Sequence, residues 1–283
     1  MISIIIPNFN GKNLLKRNLP SLLKVLKKAN FKWEIIIVDD GSTDGSVSFL
    51  RENFKEIKVI EKPHTGFADS LNKGAKVASY DILYFMNSDI EVFEDFLTPL
   101  LSHFKSKKVF AVGSAAFSKE GKLISSKCEL IFKRGLLDVN RETVLSKDTC
   151  ECDCVSAGHS AFSKKIFLKL NGFDTLFYPF YFEDVDLCYR AKILGYKILF
   201  EPRSKVIHPA GTTISKYYDK RKKEIIHRRN KLLFNWCNLS FKKLFLHIIL
   251  LPLYFLKISF FISFLYALSK LPYVYKRRRW KYL

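Results

Sequence analysis

Short β-branched strands alternate with amphipathic stretches over the first ninety residues, and acidic or small polar residues recur just past the strand ends. This alternation is the mark of a parallel sheet with crossover helices. Ile2 to Ile6 reads as a first strand, Ile35 to Val38 as a second, Lys58 to Ile60 as a third and Asp81 to Met86 as a fourth. Leu15, Leu19, Leu22, Leu23 and Leu26 form an apolar stripe at helical spacing between the first two. Beyond the strand ends come Pro7-Asn8, Asp39-Asp40-Gly41-Ser42 and Asn87-Ser88-Asp89. In open α/β sheets a ligand lies in the crevice outside the carboxyl ends of the strands, so these residues are the first candidates for a site.

Each cluster fits a distinct chemistry. A carboxylate at a strand end, Asp40, matches the imide N–H of a uracil or thymine ring, while Ser42 or Asp44 also suits capping of the next helix. Asp89, closing an apolar strand, suits a hard divalent cation, Mg²⁺ or Mn²⁺, shared with diphosphate oxygens. Glu183-Asp184-Val-Asp186 opens a helix that Gly195 ends, and a helix N-terminus favours ionised carboxylates. An ionised carboxylate is what a base needs to take a proton from an attacking hydroxyl, and Asp184 is the candidate. The alternative is a surface ion-pair row of Glu183, Asp186 and Arg190. His208 follows another apolar strand and is a candidate second metal ligand; His64 and His159 have weaker claims.

The middle of the chain, about residues 90 to 180, mixes helix and strand signals, with turn residues at Gly113, Gly121, Gly135 and Asn171-Gly172. Six cysteines are present, and three of them stand at period two in Cys150-Glu-Cys-Asp-Cys154. Zinc sites usually pair C-x2-C with a second half that is lacking here, so one face of a strand is the expected setting. No secretory signal is visible, the catalytic part is expected in the cytoplasm, and a cytosolic protein is expected to form no structural disulfide.

Charge divides the chain. Residues 201 to 283 hold 19 Lys/Arg against 3 Asp/Glu and so carry +16 of the +21 net charge, interleaved with apolar runs such as Leu244 to Leu256. A nucleic-acid binder more often sets its basic residues among polar ones, so an anionic membrane surface is the expected partner. Leu244 to Leu268 is long enough to span a bilayer but contains His247, Pro252 and Lys257 and has basic clusters at both ends. An in-plane or re-entrant segment keeps both clusters on one face; a soluble helical hairpin is the alternative.

Taken together, the segments resemble glycosyltransferase family 2, the inverting GT-A fold, and its rhamnosyltransferase-like branch in particular. The resemblance covers about residues 1 to 211. It rests on Ser3-Ile-Ile-Ile-Pro-Asn-Phe-Asn10, Ile36-Ile-Val-Asp-Asp-Gly-Ser-Thr-Asp44, His64-Thr-Gly-Phe-Ala-Asp-Ser-Leu-Asn-Lys-Gly74, Met86-Asn-Ser-Asp89, Asn171-Gly-Phe-Asp174, and Tyr181-Phe-Glu-Asp-Val-Asp-Leu-Cys-Tyr-Arg190 with Gly195-Tyr and His208. The resemblance implies an α/β GT-A (Rossmann-like) mixed sheet flanked by helices. Residues 1 to 90 would form a nucleotide-binding half and 91 to 211 an acceptor half, with a basic, apolar helical membrane-associating region over 212 to 283. It implies nucleotide-sugar contacts from Pro7, Asn8, Asp40, Gly66, Asn87 and Ser88, with Asn87 standing where the family's Asp-x-Asp motif has its first aspartate. It implies a metal on Asp89 and His208, and Asp184 as base beside Glu183. The implied reaction moves a sugar from a UDP- or dTDP-linked donor to a glycan hydroxyl; the charge and apolarity of the tail, not the resemblance, point to a lipid-linked acceptor at the cytoplasmic face of the membrane. A catalytically inactive, membrane-associated adaptor that binds nucleotide sugars is the rival. A sugar nucleotidyltransferase is disfavoured because Pro7-Asn-Phe-Asn-Gly11 stands where its Gly-rich loop would be.

Overall fold

In the computed structural model, residues 1–141, 144–209 and 212–280 are described. Strands β1 (Ile2–Asn8), β2 (Trp33–Asp39), β3 (Ile57–Glu61) and β4 (Ile82–Met86) alternate with helices α1 (Lys12–Lys27), α2 (Ser46–Asn53) and α3 (Phe67–Val77). The four strands run parallel in the order β4-β1-β2-β3. All four predicted strands are present with no end shifted by more than two residues, and the five-leucine stripe lies on α1.

The strands are apolar on both faces because both faces are covered. Ile4, Ile6, Ile35 and Ile37 point with Tyr84 to a core closed by Leu15, Leu19 and Leu22 of α1. Their neighbours Ile5, Ile36, Val38 and Phe85 point the other way, against Leu71 and Ala75 of α3. Gly74 of α3 lies so close to β1 that a Cβ there would come 2.4 Å from Ile5 Cγ2.

The sheet continues past β4 with mixed polarity. β5 (Glu91–Val92) and the short helix α4 (Thr98–Leu101) lead to β6 (Val109–Phe117) and β7 (Leu123–Ser125). A separate hairpin follows, β8 (Cys128–Lys133) and β9 (Leu136–Arg141), and then β10 (Cys150–Glu151), β11 (His159–Ser163) and α5 (Lys164–Lys169). Next come α6 (Glu183–Ile193) and the long β12 (Lys197–Ile207). β11 is antiparallel to both β4 and β6, and β12 is parallel to β6. The path through the sheet is β10-β12-β6-β11-β4-β1-β2-β3, with β5 on β12 and β7 on β6.

Two expectations about the cysteines are corrected. Cys128 and Cys154 form a disulfide across 26 residues. Only Cys150 of the period-two trio lies in a strand, because β10 ends at Glu151. The chain then turns in between β12 and β8, where the Cys152 N–H donates to Ile198 O and the Asp153 N–H to Cys128 O. That second bond carries Cys154 to Cys128. A compartment argument knows nothing of this pairing, and both sulfurs are buried away from reductants.

The C-terminal region forms α7 (Thr212–Tyr217), α8 (Lys220–Asn238), α9 (Phe241–Leu250), α10 (Ile258–Leu268) and α11 (Leu271–Trp280). The boundary expected at Gly211 falls outside the described residues. Leu232, Leu233 and Phe234 of α8 and Val274 of α11 join the same apolar cluster as α3, α6 and the sheet. The run from Leu244 to Leu268 is broken around Pro252, and no single helix among the described residues is long and apolar enough to cross a membrane.

Candidate active site

The ten residues to which the resemblance assigns roles, from Pro7 and Asn8 to Asp184 and His208, line one cleft of about 1200 Å³ at the carboxyl ends of β1, β2 and β4. The β1–β2 register sets Asn8 beside Asp39. Asn8 Nδ2 donates to Asp39 Oδ2 at 2.8 Å and to Ser42 Oγ at 3.1 Å, and Asp39 Oδ1 accepts the Ser42 N–H at 2.8 Å. Asp39, which no role was assigned, thus shapes the turn that presents Asp40. Asp44 ties two helix starts together by accepting the Lys12 N–H at 2.9 Å and the Ser46 N–H at 3.0 Å.

Asp40 faces the cleft and also holds its neighbours. Oδ1 accepts the Thr65 N–H and Oδ2 the Gly66 N–H, each at 2.9 Å, while buried Lys62 pairs with Oδ1 and His64 Nδ1 lies 2.8 Å from Oδ2. Gly66 has φ +96°, and a Cβ there would come 2.6 Å from the Tyr178 ring, so glycine is needed for both backbone and space. Lys62 carried no signal in the sequence beyond following a strand.

Asn87, Ser88 and Asp89 leave β4, and His208 leaves β12 with its N–H donating to Phe117 O at 2.8 Å. These two strand ends meet: His208 Nε2 lies 3.4 Å from Asp89 Oδ1 and 3.5 Å from Asn87 Nδ2. Gly158 backs Asn87, where a Cβ would come 2.6 Å from Nδ2, and its carbonyl accepts the Asn87 N–H. No cluster of three His, Cys, Asp or Glu that could hold a metal occurs among the described residues. One carboxylate and one imidazole on facing strand ends still fit a divalent cation that takes its remaining oxygens from a diphosphate and water.

Glu183 and Asp184 open α6 and line the same cleft. Ahead of them Tyr181 and Phe182 have φ of 75° and 74°, a conformation that costs bulky residues energy and must be held from outside. The holder is Asn230 of α8, fully buried, whose Nδ2 donates to Phe177 O at 2.7 Å and to Phe180 O and Tyr181 O at 2.9 Å. Asp184 Oδ2 accepts the Ala157 N–H at 3.3 Å. Glu183 is buried, and its Oε2 has no hydrogen-bond partner among the described residues. Burial, and then the neighbouring Asp184 charge, push its pKa well above the ordinary carboxylate value.

Asp186 does not join a surface row with Glu183 and Arg190. It is fully buried, with Arg190 Nε at 2.9 Å, Arg277 Nη2 at 2.6 Å and Asn238 Nδ2 at 2.7 Å. The far wall of the cleft comes from Tyr217 of α7 and from Lys223, His227 and Lys231 of α8. The sequence reading missed these three, although their i, i+4, i+8 spacing puts them on one helix face.

A parallel half-sheet joined to a mixed half, with acidic groups along the shared carboxyl edge, is the GT-A architecture. The chain belongs to glycosyl transferase family 2, whose model matches residues 3–170. It is 26% identical over 206 residues to the poly-beta-1,6-N-acetyl-D-glucosamine synthase of Staphylococcus aureus strain MSSA476, covering 71% of this chain and 48% of that protein. The chain thus spans about half the length of the curated relatives it matches. Among solved structures it is similar to GalNAc-T7 with UDP, GalNAc and Mn²⁺ (TM-score 0.65, 17% identity, 84% of this chain and 48% of that one). It is also similar to the mannosyltransferase PcManGT of Pyrobaculum calidifontis with GDP-Man and Mn²⁺ (TM-score 0.58, 14% identity, 96% and 75%).

Proposed function

We propose that this protein is an inverting glycosyltransferase that moves a hexose or deoxyhexose from a UDP- or dTDP-linked donor to a glycan hydroxyl. The observation that carries the reading is one cleft of about 1200 Å³ lined together by Asp89, His208, Glu183 and Asp184, in which His208 Nε2 lies 3.4 Å from Asp89 Oδ1. Pro7, Asn8, Asp40 and Gly66 would take the nucleoside, with Asp40 receiving the imide N–H of the base. Asn87 and Ser88 would line the diphosphate.

Asp89 and His208 would hold Mg²⁺ or Mn²⁺, which, when bound, neutralises charge on the departing diphosphate. The two carboxylates at the start of α6 divide their roles by environment. Glu183, whose pKa is pushed up first by burial and then by the Asp184 charge, is the carboxyl of the pair that holds its proton more readily, and Asp184 would take the proton of the acceptor hydroxyl. The acceptor is a lipid-linked saccharide in cell-surface polysaccharide or glycoconjugate synthesis, and the reaction runs at the cytoplasmic face of the membrane, where donors are at hand. The similarity to a polysaccharide synthase supports this class of product.

The test is release of nucleoside diphosphate from a panel of nucleotide sugars with Mn²⁺, Mg²⁺ or EDTA, for the wild type, Asp184→Asn and Asp89→Ala. Turnover of one donor that falls by about 100-fold or more in both variants is expected. If no donor turns over and none raises the melting temperature, the transferase reading fails. A donor that raises the melting temperature but is never consumed would mark a binding adaptor instead.

A further inference from the structure

The exposed apolar residues of this protein are concentrated on one part of its surface. Of the 24 large hydrophobic residues described as exposed, 14 lie between Phe241 and Tyr275, on α9, α10, α11 and the turns between them. Leu256 is 90% exposed, Ile258 74% and Phe245 68%, values that no core or ordinary surface position needs. So many exposed large apolar side chains on three successive helices mark an interaction surface.

Charge identifies the occupant. From Ile225 to Leu283 the sequence holds 12 Lys/Arg and not one Asp or Glu. Lys242 of α9 and Lys276 of α11, with Lys257 and Lys270 just before and after α10, are exposed among the apolar residues. Apolar side chains rimmed by lysines, with no acid among them, match the headgroup and acyl boundary of an anionic bilayer, each basic residue near such a surface being worth about 1 kcal/mol.

The attachments of these helices decide between lying on the bilayer and crossing it. α9 has 10 residues and α10 has 11, about 15 Å each at 1.5 Å per residue against a hydrocarbon core of about 30 Å. Among the described residues, only the bent pair Ile258–Leu268 and Leu271–Arg278, at 62°, has the length and composition to cross. Both members are fastened to the protein: Ser263 Oγ donates to Ile225 O of α8, Arg277 bridges Asp174 and Asp186, and Arg278 donates to Trp236 O and Leu239 O. Straightening across a bilayer would break these bonds.

We infer that α9, α10 and α11 form a monotopic docking face for an anionic lipid surface, entered by Phe245, Leu253, Leu256, Ile258 and Phe261 and steered by the exposed lysines. Helix α8 connects this face to the cleft. Its residues Lys223, His227 and Lys231 line the cleft, and Ile225 and Arg228, on its other side, bond α10. Docking therefore holds the cleft one helix layer from the lipid, within reach of an acceptor carried there. Only this last use rests on the transferase reading; the docking itself does not.

The experiment is flotation of the full chain with vesicles of phosphatidylcholine alone or with 30% phosphatidylglycerol, without donor or acceptor, and at low and high salt. The wild type is expected to float with the anionic vesicles, at least tenfold more than with neutral ones, and to be released partly by salt. The triple variant Phe245→Glu/Leu256→Glu/Ile258→Glu is expected to lose flotation at least tenfold with an unchanged melting temperature, since all three side chains are exposed. A wild type that stays soluble with both vesicles overturns the inference; if it is then a dimer by light scattering that the triple variant makes monomeric, the face is a contact between copies. Flotation without sugar transfer leaves the docking face standing and removes only the transferase reading.

Discussion

Arg277 of α11 joins two acidic residues far from it in sequence, donating from Nη2 to Asp186 Oδ1 at 2.6 Å and from Nη1 to Asp174 Oδ2 at 2.8 Å. Asp186 lies two residues beyond Asp184, so the basic C-terminal helices clamp the helix that presents the candidate base. Burial alone would raise the Asp186 pKa, but Arg277, and after it Arg190, hold it below the ordinary value.

Arg277→Met should therefore cost about 3 kcal/mol, because a buried carboxylate loses one of its two cations. Equilibrium urea denaturation at pH 7 checks this. Arg277→Lys should recover less than half of the loss, since one ammonium cannot bridge both carboxylates as the guanidinium fork does. The sign with pH follows from the lowered pKa: the contribution is full above the unfolded value of 3.8 and fades as pH falls below it. The gap between wild type and Arg277→Met should narrow in acid. A gap that is absent at pH 7 would mean that the clamp does not stabilise the chain.

Asn230 is a positioning residue for the same wall. Asn230→Asp replaces a donor to three carbonyls with an acceptor facing them, so Tyr181 and Phe182 lose what holds them at positive φ. A stability cost of about 2 kcal/mol is expected. So is a fall in kcat of roughly tenfold or more, because a displacement of about 1 Å at a catalytic group is enough for that. The KM for the donor should stay within twofold, since Asn230 lies outside the nucleotide half. Steady-state kinetics well below the melting temperature of the variant separate the two effects. Lost stability with kcat intact would make Asn230 a packing residue only.

The half of the fold built from local signals was legible in the sequence. β1, β2 and β4 are continuous apolar runs buried on both faces, and α1 carries a five-leucine stripe, so period and composition suffice. The candidate cleft was legible too: Asn8, Asp40, Asp89 and His208 at strand ends and Asp184 at the start of α6 all line it. What was hidden depends on pairings distant in sequence. Nothing near Asn230 says that it will cap a strained loop fifty residues earlier, nothing near Cys128 points to Cys154, and Asp186 reads as a helix-surface charge until Arg277 arrives. The basic C-terminal charge was visible, but part of it is spent inside, on Asp174, Asp186 and the α8 carbonyls, rather than displayed at the surface.

Glu183 gives a pH test. Its folded pKa is raised, first by burial and then by Asp184, so between 4.5 and the folded value the native state keeps a proton that the unfolded chain has lost. Stability must then fall as pH rises through that window. Glu183→Gln keeps the neutral shape and cannot ionise. It should flatten this slope, so that its stability relative to wild type grows with pH, when melting temperatures are compared from pH 5 to 9. Its kcat should stay within about tenfold of wild type, whereas Asp184→Asn should lose about 100-fold or more. Equal losses in the two variants would mean that Glu183 also works in its ionised form.

The disulfide bears on the site as well as on stability. Closing 26 residues, it should contribute about 3.5 kcal/mol by restricting the unfolded chain, so urea denaturation with and without dithiothreitol should differ by that order. Both sulfurs are buried, so reductant without denaturant should leave the bond intact. Cys154 leads into Val155 to Gly158, where the Ala157 N–H meets Asp184 and the Gly158 carbonyl meets Asn87. Releasing Cys154 loosens the strap that contacts both Asp184, the candidate base, and Asn87, so Cys128→Ala/Cys154→Ala should lower kcat and raise the donor KM even at temperatures where the variant is folded. A stability change with both constants intact would confine the bond to holding β8 against its neighbour. No difference with dithiothreitol in urea would mean that the two thiols are not joined in solution, as a reducing compartment would keep them.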